Sequence, residues 1–217
     1  GIKINAEPIK KIKVYDRDPS NKILFENNYK MGMLGYVVEN SKFSKSLLND
    51  LKKKKNVKIL FDSELVKIDT KSNYSKTYLN NQIIKSKLII AADGKNSLVR
   101  NIVGNKVFKK TYPERALVLN FLHENNLNNT AYEIFYNTGP LAILPQKKSK
   151  NFFQSSIIWS NKDLFIKKII NCDNKFISNI VSERIGKITG NIVKINSKQQ
   201  FPLSAHINDK FFNNRII

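Results

Sequence analysis

Hydrophobic positions in this chain fall into short runs separated by polar turns, and two periods recur along it. In the first stretch, Ile9, Ile12 and Val14 precede a polar turn at 16–21, and Ile23, Leu24 and Phe25 follow it, which predicts a β-hairpin within 2–30. Gly32 and Gly35 bracket a bend before a short apolar run at 36–38. Phe43, Leu47, Leu48 and Leu51 then share one helical face, so a helix opens at Asn40 and Ser41, with Ser41 or Ser44 available as its cap. Strands are predicted at 57–61, 65–68, 74–79 and 82–84, the last two joined by Asn80 and Asn81, a turn pair that tolerates positive φ.

The run at 88–92 differs, because it is apolar without alternation, as in a strand covered on both faces. It stops abruptly at Asp93 and Gly94. Leu98, Val99, Ile102 and Val103 then predict a helix over 95–103, closed by Gly104. Strand, acidic-glycine turn and helix place that turn at the carboxyl end of a buried strand, where open α/β sheets bind ligands. Plain turn chemistry gives the same dipeptide.

After Gly104 the pattern becomes antiparallel in style. Strands are expected at 116–123, 131–136, 141–144 and 152–159, with Tyr132, Ile134 and Tyr136 on one face, a turn at Gly139 and Pro140, and a basic loop at 147–150. Residues 162–186 read as helical, 192–195 and 200–203 as strands, and 215–217 as the start of a last strand. The fold class is α/β, or α+β overall.

Composition changes this picture little. The net charge is +21 over 217 residues, but only five of the 38 basic residues are arginine (Arg17, Arg100, Arg115, Arg184, Arg215). A phosphate-reading surface clusters charge and favours arginine. Here lysine is spread over every segment, and the one dense run, 52–55, ends a predicted helix where it complements the dipole. Nucleic acid is therefore not the expected partner, although a basic nucleic-acid-binding module is the alternative from outside enzymology. A single cysteine, Cys172, excludes an internal disulfide and a cysteine-based metal cluster, and His123 and His206 lack ligand spacing, so no metal site is expected. No apolar run approaches the roughly 18 residues of a spanning helix. Both ends read as internal cuts in a longer protein.

Most catalytic signatures are missing: GxSxG, HExxH, the P-loop frame and GxGxxG do not occur, and no catalytic residue is assigned. Ala92, Asp93 and Gly94, followed by Ser97 and Arg100, resemble the Asp-Gly motif of the class A FAD-dependent aromatic monooxygenases. The segments GYVVEN (35–40), GPLAILP (139–145), the strand at 156–160 with Trp159, and FPL (201–203) recur in the same order in one branch, the ubiquinone-biosynthesis hydroxylases. The resemblance covers almost the whole chain. It implies an internal fragment that lacks the family's N-terminal GxGxxG and C-terminal Gly-Asp motifs and is inactive without them. It further implies part of a Rossmann-like FAD-binding domain at 31–110 and 205–217. Residues 1–30 and 111–204 would form a substrate domain, a mostly antiparallel sheet flanked by helices.

The implied activity is hydroxylation of the aromatic ring of a polyprenylated phenol in ubiquinone biosynthesis, through NAD(P)H-reduced FAD and a C4a-hydroperoxide. A related phenol hydroxylase or prenyl-lipid oxidoreductase is the alternative. The implied cofactors are FAD and NAD(P)H, and the implied partner is a lipid-like aromatic substrate. Cytoplasmic location follows, with peripheral association at the inner membrane and with a ubiquinone-synthesis complex. Asp93, Gly94, Arg100 and Asn40 match cofactor-binding positions. Arg100 either reaches a phosphate or pairs with Asp93, and Asn40 contacts flavin or caps a helix. Tyr136, Leu141 and Pro145 fall where family members line the substrate cavity, or else they pack within the sheet.

Overall fold

The computed structural model describes residues 6–16, 18–26, 32–149 and 151–217. Residues 1–5, 17, 27–31 and 150, which include parts of the expected hairpin, its turn and the basic loop, lie outside the described residues. The chain divides into two compact units, Gly1–Lys54 with Tyr112–Leu203, and Lys55–Thr111 with Ser204–Ile217. The sequence expectation grouped 31–54 with the segment that follows it. In the structure the strand at 35–38 pairs back onto 6–9, and this draws 31–54 into the first unit.

In the first unit, β1 (Ala6–Ile9) pairs antiparallel with β4 (Gly35–Val38), while β2 (Lys11–Asp16) and β3 (Asp18–Glu26) form the hairpin that the alternation predicts. α1 (Asn40–Lys52) follows, and none of its side chains is fully buried. The second unit contains β5 (Leu65–Thr70), β6 (Ser75–Leu79) and β7 (Ile83–Ser86), an antiparallel three-stranded sheet, and then α2 (Leu98–Ile102). The strand expected at 57–61 is irregular chain. Asn80 and Asn81 make their turn without positive φ, and the Asn80 side chain accepts a hydrogen bond from the Glu64 amide at 3.2 Å.

β8 (Val107–His123), β9 (Thr130–Tyr136), β10 (Gly139–Ser149) and β11 (Phe152–Lys162) come next, followed by α3 (Asp163–Ile169), α4 (Asn174–Thr189) and β12 (Ile192–Asn208). The large sheet has the order β12-β8-β11-β10-β9-β2-β3. Its neighbours are antiparallel between β8 and β9 along the sheet, and β2 joins β9 in parallel. The single helix expected over 162–186 is two helices. The first ends at Ile169, and Asp173 caps the second by accepting the Phe176 amide hydrogen at 2.7 Å.

The alternation decides where the core lies. Leu117, Leu119 and Phe121 of β8, Leu141 and Ile143 of β10, and Ile157 and Trp159 of β11 are all buried, and cross-strand partners in the register share a face. They pack with Ile166 of α3 and with Ile177, Val181 and Ile185, a four-residue-spaced stripe of α4. Trp159 meets Phe165 edge-on at 5.3 Å, and the Arg184 guanidinium lies 4.5 Å from the Trp159 ring centre. The opposite face of the same strands carries Val118, Ala142 and Ile158, and Ile158 is 39% exposed in the middle of the sheet. One face is thus covered by helices and the other is not.

Candidate functional site around the Asp93–Gly94 turn

The site in the second unit is built on a short parallel ladder. The Ile89 amide donates to the Arg215 carbonyl at 2.8 Å, the Ala91 amide to that of Ile217 at 2.7 Å, and the Ile217 amide back to that of Ile89 at 3.0 Å. The expected strand at 88–92 and the expected start at 215–217 are therefore paired, with Ile89 and Ile216 as bridge partners. The strand is not covered on both faces as expected: Ile90 is 73% exposed. Leu88 is exposed as well, whereas Ile89 and Ala91 are half-buried.

At the end of the run the chain turns at Gly94, whose φ of +81° suits a residue without a side chain. Nothing lies within 4 Å of the place a Cβ would occupy, so the backbone there is open to approach. The helix begins at Leu98 rather than at 95. Its first amides are already in use: the Val99 amide donates to Asp93 Oδ2 at 3.1 Å and the Arg100 amide to Ser97 Oγ at 3.0 Å. A bond with the Ser97 hydroxyl, foremost, and the amides behind it hold the Asp93 carboxyl below the usual carboxylate range, against a smaller opposing effect of burial. Asp93 therefore turns inward, onto its own helix.

Arg100 is only 8% exposed. Its Nη2 donates to the Lys95 carbonyl at 2.9 Å, and it forms no ion pair with Asp93. Its Nε has no hydrogen-bond partner. Both Arg100 and Asp93 line a cavity of about 470 Å³, together with Gly94, Asn105, His206 and Asn208. The Asn208 Oδ1 is likewise buried and without a partner. One donor and one acceptor in the same cavity are thus unsatisfied, and orphaned buried groups of this kind call for an explanation. Sequence reading singled out Asp93, Gly94 and Arg100 but not His206 or Asn208. Their i, i+2 spacing on β12 puts both on one face of the strand, and that spacing was the available signal.

The remaining expected positions lie in the first unit. Asn40 is the first residue of α1 and is exposed. The cap position is Glu39, whose side chain makes no cap bond but accepts from Ser41 Oγ at 2.8 Å. Tyr136 donates its hydroxyl to the Arg184 carbonyl at 3.2 Å, and burial pushes the phenol up, with Arg184 opposing. Leu141 is 0% exposed in the helix-covered core. Pro145 does line a cavity, of about 220 Å³, with His123, Phe153 and Ser155 among its walls. His123 and Ser155 are themselves joined, Nε2 to Oγ, at 2.8 Å. This pair, 32 residues apart in the chain, has no local sequence signature. Among the described residues no group of three or more His, Cys, Asp or Glu side chains is placed to hold a metal ion.

A family model described as FAD binding domain matches residues 24–217. The chain belongs to the FAD-binding domain family. Among characterised relatives it is 27% identical over 185 residues to ubiquinone biosynthesis monooxygenase COQ6, mitochondrial, of Danio rerio, covering 80% of this chain and 37% of that protein. It is 23% identical over 212 residues to ubiquinone hydroxylase UbiL of Rhodospirillum rubrum, covering 97% and 48%. With 3-demethoxyubiquinol 3-hydroxylase of Escherichia coli it shares 23% over 169 residues, covering 77% and 42%. The chain thus spans less than half the length of each of these relatives.

Solved structures give the same fold. PqsL, a probable FAD-dependent monooxygenase from Pseudomonas aeruginosa, superposes over 98% of this chain and 60% of its own, with a TM-score of 0.75 at 13% identity. The p-nitrophenol 4-monooxygenase PnpA from Pseudomonas putida gives 0.70 at 14%, covering 98% and 55%.

The cavity suits the group that gives this FAD-binding domain its family. Arg100 Nε offers a hydrogen to a phosphate or carbonyl oxygen, Asn208 Oδ1 accepts one from a hydroxyl, and the open Gly94 backbone admits close approach. A phosphorylated polyol satisfies all three.

Proposed function

We propose that this chain is part of an FAD-dependent monooxygenase that hydroxylates the ring of a polyprenylated phenol in ubiquinone biosynthesis, with NAD(P)H as reductant. The observation that carries the reading is the cavity at the Asp93–Gly94 turn. A buried arginine and a half-buried asparagine each leave one buried polar atom unsatisfied there, in a chain of the FAD-binding domain family. The low-identity relatives named for ubiquinone hydroxylation support the substrate class.

When bound, FAD supplies the redox chemistry, activating dioxygen and passing one oxygen atom to the ring. The residues of this chain bind and orient. Arg100 holds a phosphate or carbonyl oxygen of the cofactor through Nε, while Lys95's carbonyl fixes its other arm. Asp93 and Ser97 fix the start of α2, so that Gly94 presents backbone to the cofactor. Tyr136 and Leu141 act from behind the substrate face, holding β9 and β10 against α4, and Pro145, on that same rear side, lines a cavity of its own. Among the described residues no helix is long and apolar enough to cross a membrane. A prenylated substrate would be met by peripheral docking, aided by the lysine excess on anionic lipid.

The test is to express the polypeptide that carries this chain, with its flanking sequence, and to measure flavin content, NAD(P)H oxidation and product mass with a prenylated phenol. A yellow protein whose NAD(P)H consumption rises with the phenol, giving a product heavier by one oxygen, is expected. A colourless protein that refuses added FAD overturns the reading. Within the same protein, Arg100→Gln weakens FAD binding by roughly tenfold or more, the worth of a charge-assisted hydrogen bond. Flavin fluorescence titration reads this independently of turnover.

A further inference from the structure

The uncovered face of the large sheet carries one residue out of keeping with its neighbours. Register partners place Val118, Ile158, Ala142, Glu133, Val14 and Ile23 in a single row across six strands on the side away from α3 and α4. Five are aliphatic, and the sixth is a carboxylate on β9, close to the middle of the sheet. Glu133 is half-buried and has no hydrogen-bond or ion-pair partner among the described residues. Burial alone pushes its carboxyl up. That isolation is unusual in a chain with 38 basic residues against 17 acidic ones, where a cation partner is easily come by. Edge strands use charges to block aberrant pairing, but β9 is flanked on both sides, by β10 and β2, so that explanation does not apply.

The adjoining rows of the same face are organised differently. Gln154 Nε2 donates to Gln146 Oε1 at 2.7 Å, Gln146 Nε2 to Asn120 Oδ1 at 3.0 Å, and Asn120 Nδ2 to Ser197 Oγ at 2.8 Å. There the polar groups are satisfied by one another. Glu133 is not, and in the aliphatic row around it Val14, Val118 and Ala142 are half-buried while Ile158, two strands away, is 39% exposed. A flat apolar strip with one lone acceptor complements a flat apolar molecule with one donor, which is the description of a phenol.

We infer that Glu133 accepts the hydrogen bond of the substrate's phenolic hydroxyl and seats the ring on the aliphatic row of Val118, Ile158 and Ala142. This rests on the phenol-hydroxylase reading and deepens it. Substrate would bind the face opposite to the one holding Tyr136 and Leu141. Glu133 would then discriminate a free phenol from its methyl ether, which has no hydrogen to give and would strand the carboxylate against a methyl group.

The test uses the whole polypeptide that carries this chain, with its flanking sequence, and two probes, 4-nonylphenol and its methyl ether. Equilibrium dialysis should show the phenol bound roughly 10- to 100-fold more tightly than the ether. In Glu133→Leu that ratio should fall to about one through loss of phenol affinity, and Glu133→Gln, which keeps an acceptor oxygen, should retain part of it. Both variants should melt no lower than the parent, because each removes an unpaired half-buried charge. Equal binding of the two probes by the parent chain, no binding of either up to millimolar concentration, or an unchanged ratio in Glu133→Leu would each overturn the inference. Dialysis needs no flavin, so these outcomes are read separately from the flavin content and product mass that decide the hydroxylase reading.

Discussion

Burial opposes protonation of the His123 ring. It is fully buried, tied to Ser155 through Nε2, and its Nδ1 has no partner, so burial pulls its pKa below the ordinary value. The unfolded chain takes up a proton near pH ~6.5, where the folded chain resists it. The stability associated with the neutral ring is therefore fully present above that pH and is lost as pH falls toward the lower folded value. The slope is at most about 1.4 kcal/mol per pH unit for one proton. Urea unfolding at pH 7.5 and 5.5 should show a larger loss for the parent than for His123→Gln, whose amide keeps a partner for Ser155. Equal losses would mean that the ring is not the titrating group. The sequence could not place this residue, because its partner is 32 positions away on another strand. Asp93, Gly94 and Arg100 were legible because they lie within one turn and its helix, where spacing alone brings them together. Asn208 and His206 complete that cavity from more than a hundred residues downstream, and their i, i+2 spacing shows a shared strand face without showing what that face meets.

At the scale of elements, periodicity located most strands but could not say which face of a strand meets which layer. A period of two defines two faces and leaves their assignment to tertiary packing. Tyr136, Leu141 and Pro145 share the parity of the buried residues on β9 and β10, and that parity turns toward α3 and α4. Leu141→Ala should therefore behave as a core truncation, with a loss of about 2–5 kcal/mol in denaturant titration. A change within about 0.5 kcal/mol would mean that the side chain is not enclosed. The helix after Gly94 came out shorter than its apolar spacing suggested because Asp93 and Ser97 both bind its first amides and fix its start at Leu98. The turn before β10 is the more demanding one. Gly139 has φ of +128°, and a Cβ there would come 2.2 Å from the Ser160 carbonyl oxygen on the neighbouring strand. Gly139→Ala must strain its own backbone and push β10 from β11, a cost of about 3 kcal/mol or more. Gly94→Ala, which meets nothing within 4 Å, should lose only the left-handed strain, about 1 kcal/mol. Comparing the two glycines by thermal melting separates close approach from conformation, and similar losses at both positions would contradict the register of β10 on β11.

For the whole molecule, the two units differ in how much core each owns. Every residue of the principal buried cluster, from Leu117 to Ile195, belongs to Gly1–Lys54 with Tyr112–Leu203. Lys55–Thr111 with Ser204–Ile217 contributes only Val99 and Ile216 to the buried apolar set, while Ile90, Phe211 and Phe212 stand largely exposed. Burial of apolar area is the main favourable contribution to folding, so the second unit must be the less stable of the two. Hydrogen exchange should accordingly protect amides of β8, β10, β11 and α4 most strongly, and should leave those of β5, β6, β7 and α2 exchanging through lower-energy openings. The same imbalance bears on function. The cavity with Arg100 and Asn208 lies wholly in the weaker unit, and its unsatisfied atoms are among the groups a ligand would satisfy. Ligand that binds only the folded form stabilises by RT ln(1 + [L]/Kd), about 2.7 kcal/mol at a hundredfold excess over Kd. Added FAD should therefore slow exchange across 89–105 and 206–217 before it changes the large sheet, and Arg100→Gln should cut that protection to about half in free energy at the same ligand concentration. Protection appearing first at β10 and β11 would place the cofactor on the first unit instead, and would move Arg100 from the binding site to the scaffold.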